Sequence, residues 1–341
     1  MEAERKRIDW IDCARGIGIL LVMVGHGVDG LLRALIFSFH MPLFFILSGR
    51  TFRPSKDGRA WQRNVKRGAR QLLIPLAAVY LMRAAVTLWQ SPGLLGEASY
   101  WKGFFCTFVF GSGVDIENSG IFGGARIEAM GMPWFFFALF FGRSLYDFLQ
   151  MKCRGKGLAA ACMAVSGAGF GLGKLQWLPF SLDIALAVIP FFYVGDSLRR
   201  VDLEKGTGRF LTVLGILWLA TLAAEYPDPG RWTYLELAWR RYPLYPLCLF
   251  TAAAGSLFLC GVSIRILKLG KMVRPVLFLG KNSMYLLCVH CMDYLWHPLC
   301  YGNGPAFFSL MKKIMADVVI FLLVMAAVNS IKNFLPRRII F

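Results

Sequence analysis

Apolar residues along this chain are gathered into ten stretches. The longest segments between them, about 91–131 and 227–242, are rich in glycine, proline and aromatic residues with scattered acids. The stretches cover residues 11–30, 36–53, 72–90, 132–150, 157–174, 180–198, 210–226, 243–263, 275–295 and 314–334. Most of them approach the roughly 20 residues that a helix needs to cross a bilayer, and they are too long and too continuously apolar for barrel strands. The pattern predicts an all-α polytopic membrane protein with a bundle of about ten transmembrane helices.

The composition excludes the soluble alternatives. Hydrophobic residues make up 57% of the 341 positions and charged residues only 17%, whereas a soluble domain has roughly 25% charged residues. A soluble enzyme, a disordered chain and a small disulfide scaffold are therefore poor interpretations. The nine cysteines lie mostly inside the apolar stretches, where cysteine packs as a small apolar residue. We expect one integral-membrane domain over residues 1–341 and no separate soluble domain.

The net charge of +18 would point to nucleic acid in a soluble protein, but in a membrane protein the positions of the basic residues report topology. Lysine and arginine concentrate in cytoplasmic loops. With ten spans and the N-terminus inside, most of these residues fall in inner segments. The charge pattern predicts a multi-pass protein of the plasma membrane, with both termini cytoplasmic and no nucleic-acid partner.

The first stretch contains three ionisable residues, although charge inside hydrocarbon is costly and usually marks a site. Asp12 and Arg15 are three residues apart, and Arg15 and His26 are eleven apart. Eleven residues are about three helical turns, so Arg15 and His26 share one helix face, roughly 16 Å apart along the axis. Arg15 alone also fits an interface anchor paired with Asp12, but His26 lies too deep in the span for that role.

In the other predicted spans, as in the first, arginines lie at the inner ends and histidines lie toward the outer side. The inner layer contains Arg15, Arg50, Arg67 and Arg70, and the outer layer contains His26, His40, His290 and His297. Guanidinium groups bind phosphate in a bidentate manner, so the inner layer suits an anionic ligand, or alternatively lipid headgroups. Histidine suits proton transfer, although His297 and His290 also fit ordinary buried polar residues.

A metal site is the weaker interpretation of the sequence around His290. Cys288, His290 and Cys291 lie together on one predicted membrane helix, but no second ligand pair accompanies them, as a zinc site would require. We expect ordinary packing of these residues and no metal cofactor.

Three segments of the chain resemble the membrane acyltransferase-3 family. They are RIDWIDCARGIGILLVMVGH (7–26), FSFHMPLFFILSG (37–49) and KRGARQLLIP (66–75). Within that family they are most similar to the fucose 4-O-acetylase-like branch, and weaker likeness continues around Trp134 and residues 280–290. One departure is Arg50, where the family usually has an apolar residue. The resemblance implies a ten-helix enzyme that moves an acyl group, usually acetyl, from cytoplasmic acyl-CoA to a hydroxyl of a sugar.

The resemblance also implies roles for particular residues. The family's signature maps to Arg15, His26, Arg67 and Arg70, so we expect the three arginines to hold acyl-CoA. His26 is expected to deprotonate the acceptor hydroxyl or to carry the acyl group briefly, with Asp12 assisting by orienting Arg15. The acceptor side is expected to contain His40, Trp134 and His290. Trp134 equally fits an interfacial aromatic belt.

The expected partners are a sugar, glycan or lipid-linked sugar as acceptor, membrane lipids, and proteins of envelope-glycan assembly. Two other interpretations remain. One is a transporter of an anionic solute or glycolipid, although the paired broken helices common in transporters are not visible in the sequence. The other is a membrane module whose catalysis lies on another chain. Acyl transfer by the purified protein separates the enzyme from both.

Overall fold

The computed structural model describes residues 8–117, 126–201, 203, 207–225, 233–300 and 306–334. These residues are organised as helices, and extended pairing among them is limited to two isolated bridges. The α-helices are α1 (Asp9–Gly25), α2 (Gly30–Phe37), α3 (His40–Thr51), α4 (Gly58–Gln90), α5 (Ala98–Phe110), α6 (Trp134–Lys152), α7 (Gly155–Leu175), α8 (Leu182–Ala187), α9 (Ile189–Ser197), α10 (Thr207–Ala224), α11 (Leu247–Ile266), α12 (Arg274–Lys281), α13 (Ser283–His290), α14 (His297–Cys300) and α15 (Ala306–Phe334). The all-helical prediction is confirmed.

Each of the ten apolar stretches coincides with a helix or with two consecutive helices. By length and apolar composition alone, four helical segments are able to cross a membrane, and a fifth joins them if α8 and α9, bent by 49°, form one span. The four are Gly30–Thr51, Gly58–Gln90, Gly155–Leu175 and Leu247–Lys281. Ten crossings therefore stay a prediction. So do the cytoplasmic termini, since residues 1–7 and 335–341 lie outside the described part of the chain.

Helix α4 is longer than the span that hydropathy predicts. Its 33 residues correspond to about 50 Å at 1.5 Å per residue, whereas the hydrocarbon is about 30 Å thick. The helix begins where the side chain of Asp57 accepts a hydrogen bond from the Ala60 amide. Its first half is basic and its second half is apolar, so we infer that the basic half extends beyond the hydrocarbon.

Glycines bring two pairs of helices into backbone contact. A Cβ atom added to Gly16 of α1 would overlap the carbonyl of Val276 in α12, and one added to Gly280 would overlap the carbonyl of Asp12. Gly49 of α3 meets α9 in the same way. Small residues allow close helix approach where lipid gives no hydrophobic driving force. The first helix is thereby joined to an element near the end of the chain.

Aromatic side chains fill the space between α3, α6 and α9. The ring of Phe45 lies 5.3 Å from that of Phe135 and 5.6 Å from that of Phe192, and Tyr146 stacks on Phe192 at 6.0 Å. Pairs at these separations are favourable beyond the area they bury. This packing fixes the walls of the two cavities described below.

Candidate functional site

A cavity of about 530 Å³ lies between α1, α3, α4, α6 and the α12–α13 segment, and we call it the arginine cavity. Its cationic lining residues are Arg15, Arg70, Arg143 and Lys281. Its hydroxyl-bearing lining residues are Ser48, Thr51, Ser283 and Tyr285. The described lining contains no carboxylate. A wall that combines several cations with hydroxyl donors suits an anionic ligand.

Neighbouring side chains hold Arg15 at the edge of this cavity. Its guanidinium lies 3.8 Å from the carboxylate of buried Asp12 and donates a hydrogen bond of 3.4 Å to the hydroxyl of Thr51. Thr51 in turn donates to the carbonyl of Leu47. Asp12 does not line the cavity. The geometry fits the expectation that Asp12 orients Arg15.

The basic half of α4 is positioned by a hydrogen-bond network with α6. The carboxylate of Asp147 accepts bonds from the amide and hydroxyl of Ser55, at 2.8 and 2.7 Å, and from Asn64 at 3.2 Å. This network ties the segment before α4 to the bundle. Arg67 and Arg70 are both exposed; Arg70 lines the arginine cavity, whereas Arg67 does not line it but interacts electrostatically with Arg143 of the cavity wall.

A second cavity, of about 320 Å³, contains the imidazoles, and we call it the histidine cavity. Among its lining residues are His26, His40 and Trp134, three of those selected from the sequence. Arg33 and Glu236 also line it, with their charged groups 3.7 Å apart. Burial raises the pKa of Glu236, while Arg241 and Arg33 oppose that shift. Aromatic, acidic and guanidinium groups together form a wall able to contact a polyhydroxylated ligand.

His26 follows the last residue of α1, where its amide bonds to the carbonyl of Val22. The side chain is accessible from the cavity. Its ring lies 5.5 Å from that of Phe37, which is 4.5 Å from His40. Buried His40 bonds through Nδ1 to the carbonyl of Ile36 at 3.1 Å. A carbonyl only accepts, so this bond places the proton of His40 on Nδ1.

His290 lies next to His26, is buried, and does not line either cavity. Its Nδ1 lies 2.9 Å from Oδ2 of Asp317, and the other oxygen of Asp317 accepts a 2.7 Å bond from the indole of Trp296. Because a carboxylate accepts, Nδ1 of His290 carries the proton and Nε2 of the neutral ring has a lone pair. The rings of His26 and His290 are 5.7 Å apart, and Nε2 of His290 makes no hydrogen bond within the described residues.

A second carboxylate and an ammonium complete this cluster. Asp293 lies 3.3 Å from Nδ1 of His290 and 2.6 Å from Nζ of Lys313. The ligand atoms of His290, Asp293 and Asp317 all lie within 4.8 Å of one another, a spacing that suits a metal ion. Lys313 already supplies a cation to this carboxylate pair, which favours a proton-handling cluster over a metal centre. The absence of a metal cofactor stays a prediction.

A buried ion pair supports the loop wall of the histidine cavity. Arg240 bonds to Asp183 at 2.6 Å and stacks 3.5 Å from the ring centre of Trp177. Both partners of the pair are almost completely buried, and the lining residues Ala238 and Trp239 immediately precede Arg240. The pair therefore fixes the position of this part of the wall.

We expect Asp183→Asn to destabilise the protein by about 3–5 kcal/mol, because breaking a buried pair leaves an uncompensated charge. Thermal unfolding of the detergent-purified protein measures the loss. The matched control is Asp115→Asn, which removes an equally short but exposed pair with Arg126 and should change the unfolding temperature little. Equal effects of the two substitutions would contradict the structural role of the buried pair.

The sequence did not identify several residues of the arginine cavity and of the cluster around His290. They are Arg143 and Lys281 in the cavity, and Asp293, Lys313 and Asp317 in the cluster. One available signal was Asp317, the single acidic residue in the apolar stretch 314–334, because ionisable residues in spans usually mark sites. The pairing of Asp317 with His290 depends on how α13 packs against α15 and has no signal in the local sequence. The exposed His297 lines neither cavity.

The fold is that of an integral membrane protein whose bundle encloses a cationic cavity and an imidazole-containing cavity. Residues 8–330 match the family model described as an acyltransferase domain. The chain belongs to the membrane acyltransferase-3 family, and it is a membrane acyltransferase. Neither a curated relative nor a solved structure matches it.

Proposed function

We propose that this acyltransferase moves an acetyl or other short acyl group from cytoplasmic acyl-CoA to a hydroxyl of a sugar or glycan. The observation that carries the proposal is the arrangement of two adjacent cavities, one lined by cations and the other by histidines. The arginine cavity suits the phosphates of the donor, and the histidine cavity suits activation of an alcohol. The resemblance of residues 7–75 to the fucose 4-O-acetylase-like branch supports acetyl as the acyl group and a sugar as the acceptor.

The donor fits the arginine cavity on chemical grounds. Coenzyme A has phosphates at its nucleotide end and a thioester at the end of a long flexible arm. Arg15, Arg70, Arg143 and Lys281 would hold the phosphates by charge-assisted hydrogen bonds, and the hydroxyl groups of the wall would bond to the polar arm. The thioester is then free to extend toward His26.

The transfer step follows from the position of His26. The acceptor oxygen attacks the thioester carbonyl carbon while His26 takes the hydroxyl proton. The carbon–sulfur bond then breaks, and the coenzyme A thiolate leaves and takes up the proton that His26 accepted, which returns His26 to its neutral form. The products are the O-acyl ester and free coenzyme A. His290 and Asp317 act behind His26, since the lone pair of Nε2 can accept the second ring proton of His26 and the carboxylate stabilises the positive charge that forms.

Arg70→Gln should weaken acyl-CoA binding about 10- to 100-fold, which corresponds to the roughly 1.5–3 kcal/mol of a hydrogen bond to a charged group. The matched variant is Arg59→Gln, in the first turn of the same helix, where the exposed side chain lies outside the cavity. It should bind the donor nearly as the wild type does. Titration with a non-hydrolysable acyl-CoA analogue measures both. Equal losses in the two variants would contradict the assignment of Arg70 to the cavity.

The function itself is tested with purified protein in detergent, radiolabelled acetyl-CoA and a panel of glycans and lipid-linked sugars. We expect label to appear on an acceptor in proportion to coenzyme A released. A transporter would instead move labelled sugar across proteoliposomes without forming an ester. Failure to release coenzyme A with any acceptor would count against the proposal.

A further inference from the structure

Four apolar side chains line both cavities at once. They are Val22, Met41, Phe135 and Leu287. They come from α1, α3, α6 and α13 and mark the place where the two cavities adjoin. We call them the shared wall.

We propose that the shared wall sets the length of the acyl chain that the enzyme transfers, an inference that rests on the proposed function. With the donor phosphates bound in the arginine cavity as proposed, and with His26 in the histidine cavity on the other side of this wall, the acyl end of the donor has to pass between these side chains. The wall contains no polar side chain. Charged and amide groups of the donor would lose their hydrogen bonds there, and only the thioester and its acyl group can enter without that loss.

The four side chains of the shared wall differ in how deeply they are buried. Phe135 is buried and its ring packs 5.9 Å from Phe44 and 5.3 Å from Phe45, and Val22 is buried in α1. Met41 and Leu287 are only half-buried, because they face the cavities. Methionine is unbranched and adapts its shape readily. Met41 and Leu287 are therefore the side chains whose size determines how much space an acyl chain finds.

The space beyond the wall is also limited. The histidine cavity of about 320 Å³ has to hold the acceptor group as well as any part of the acyl chain that projects into it. Each additional methylene competes with the acceptor or with the wall. Apolar pockets discriminate by about 10- to 200-fold per methylene, so a strong preference for the shortest chains follows.

The test compares transfer from acetyl-, propionyl-, butyryl- and hexanoyl-CoA by the wild type, Met41→Ala and Leu287→Ala. We expect the ratio of butyryl to acetyl transfer to rise at least tenfold in either variant, with binding of coenzyme A unchanged because the wall does not contact the phosphates. The matched control is Leu139→Ala, since Leu139 lines only the arginine cavity and should leave the ratio unchanged. Val22→Phe should narrow the passage and abolish transfer while coenzyme A still binds.

The outcomes separate this inference from the proposed function. Unchanged chain-length ratios in both alanine variants, with acetyl transfer intact, would overturn the shared wall as the determinant of chain length. A similar rise in Leu139→Ala would overturn it too, because that result would assign selectivity to the donor cavity as a whole. Absence of transfer from every acyl-CoA by the wild-type protein would instead overturn the proposed function.

Discussion

His26→Ala should reduce acyl transfer by about 10²–10⁴-fold, the range typical for loss of a general base. The side chain faces the histidine cavity, and the variant leaves the cations of the arginine cavity intact, so acyl-CoA should still bind with wild-type affinity. The measurement is release of coenzyme A under saturating donor, with size-exclusion chromatography and thermal unfolding to show that the variant folds.

His297→Ala is the matched control for this substitution. His297 is exposed and lies outside both cavities, so its removal should leave transfer unchanged. Wild-type transfer by His26→Ala would remove His26 from the mechanism. Trapping of an acylated His26, detected by mass spectrometry of donor-treated enzyme without acceptor, would contradict the base role and favour a histidine that carries the acyl group.

Asp317→Asn should lower kcat by about 10²–10⁴-fold, by analogy with replacement of the aspartate that orients a catalytic histidine. Asparagine has nearly the same volume and its carbonyl can still accept the bond from Trp296. Its amide, however, cannot stabilise an imidazolium, and turning that amide toward Nδ1 would favour the wrong tautomer of His290. Because Asp317 contacts neither cavity, KM for donor and acceptor should stay within about twofold.

A purely structural role of Asp317 would give a different result. It would lower the unfolding temperature and the yield of folded protein while kcat per folded molecule stayed near the wild-type value. Asp115→Asn serves again as control, since Asp115 is an exposed carboxylate far from His290 in sequence and outside both cavities. A fall in kcat without loss of stability supports Asp317 as a positioning residue.

The fold was predictable where hydropathy alone determines it. Long apolar stretches became helices at all ten places, because a backbone in hydrocarbon has to satisfy its own hydrogen bonds. The helix breaks inside two of these stretches were not predicted from the sequence. The 180–198 stretch is divided at Val188, just before Pro190, and 275–295 is divided at Asn282. Helix α5 was not predicted, although its sequence is rich in apolar and aromatic residues, because it lies in the segment 91–131 outside the ten apolar stretches.

The site was predictable only within single helices. The eleven-residue spacing placed Arg15 and His26 on one face, and in the structure they line adjacent cavities that share Val22. The spacing of Arg67 and Arg70 did not reveal that only Arg70 would line the cavity, because that depends on the rotation of α4 against α6. The bond between His290 and Asp317 joins two helices and could be seen only after they were packed.

The distribution of these residues along the chain bears on biosynthesis. His26 and Asp317 are 291 positions apart in the sequence, so the helix that precedes His26 is synthesised and inserted long before the helix that contains Asp317. The histidine pair can gain its carboxylate only after α15 has inserted and packed against α13. Insertion of α15 is therefore the assembly step that completes the cluster around His290.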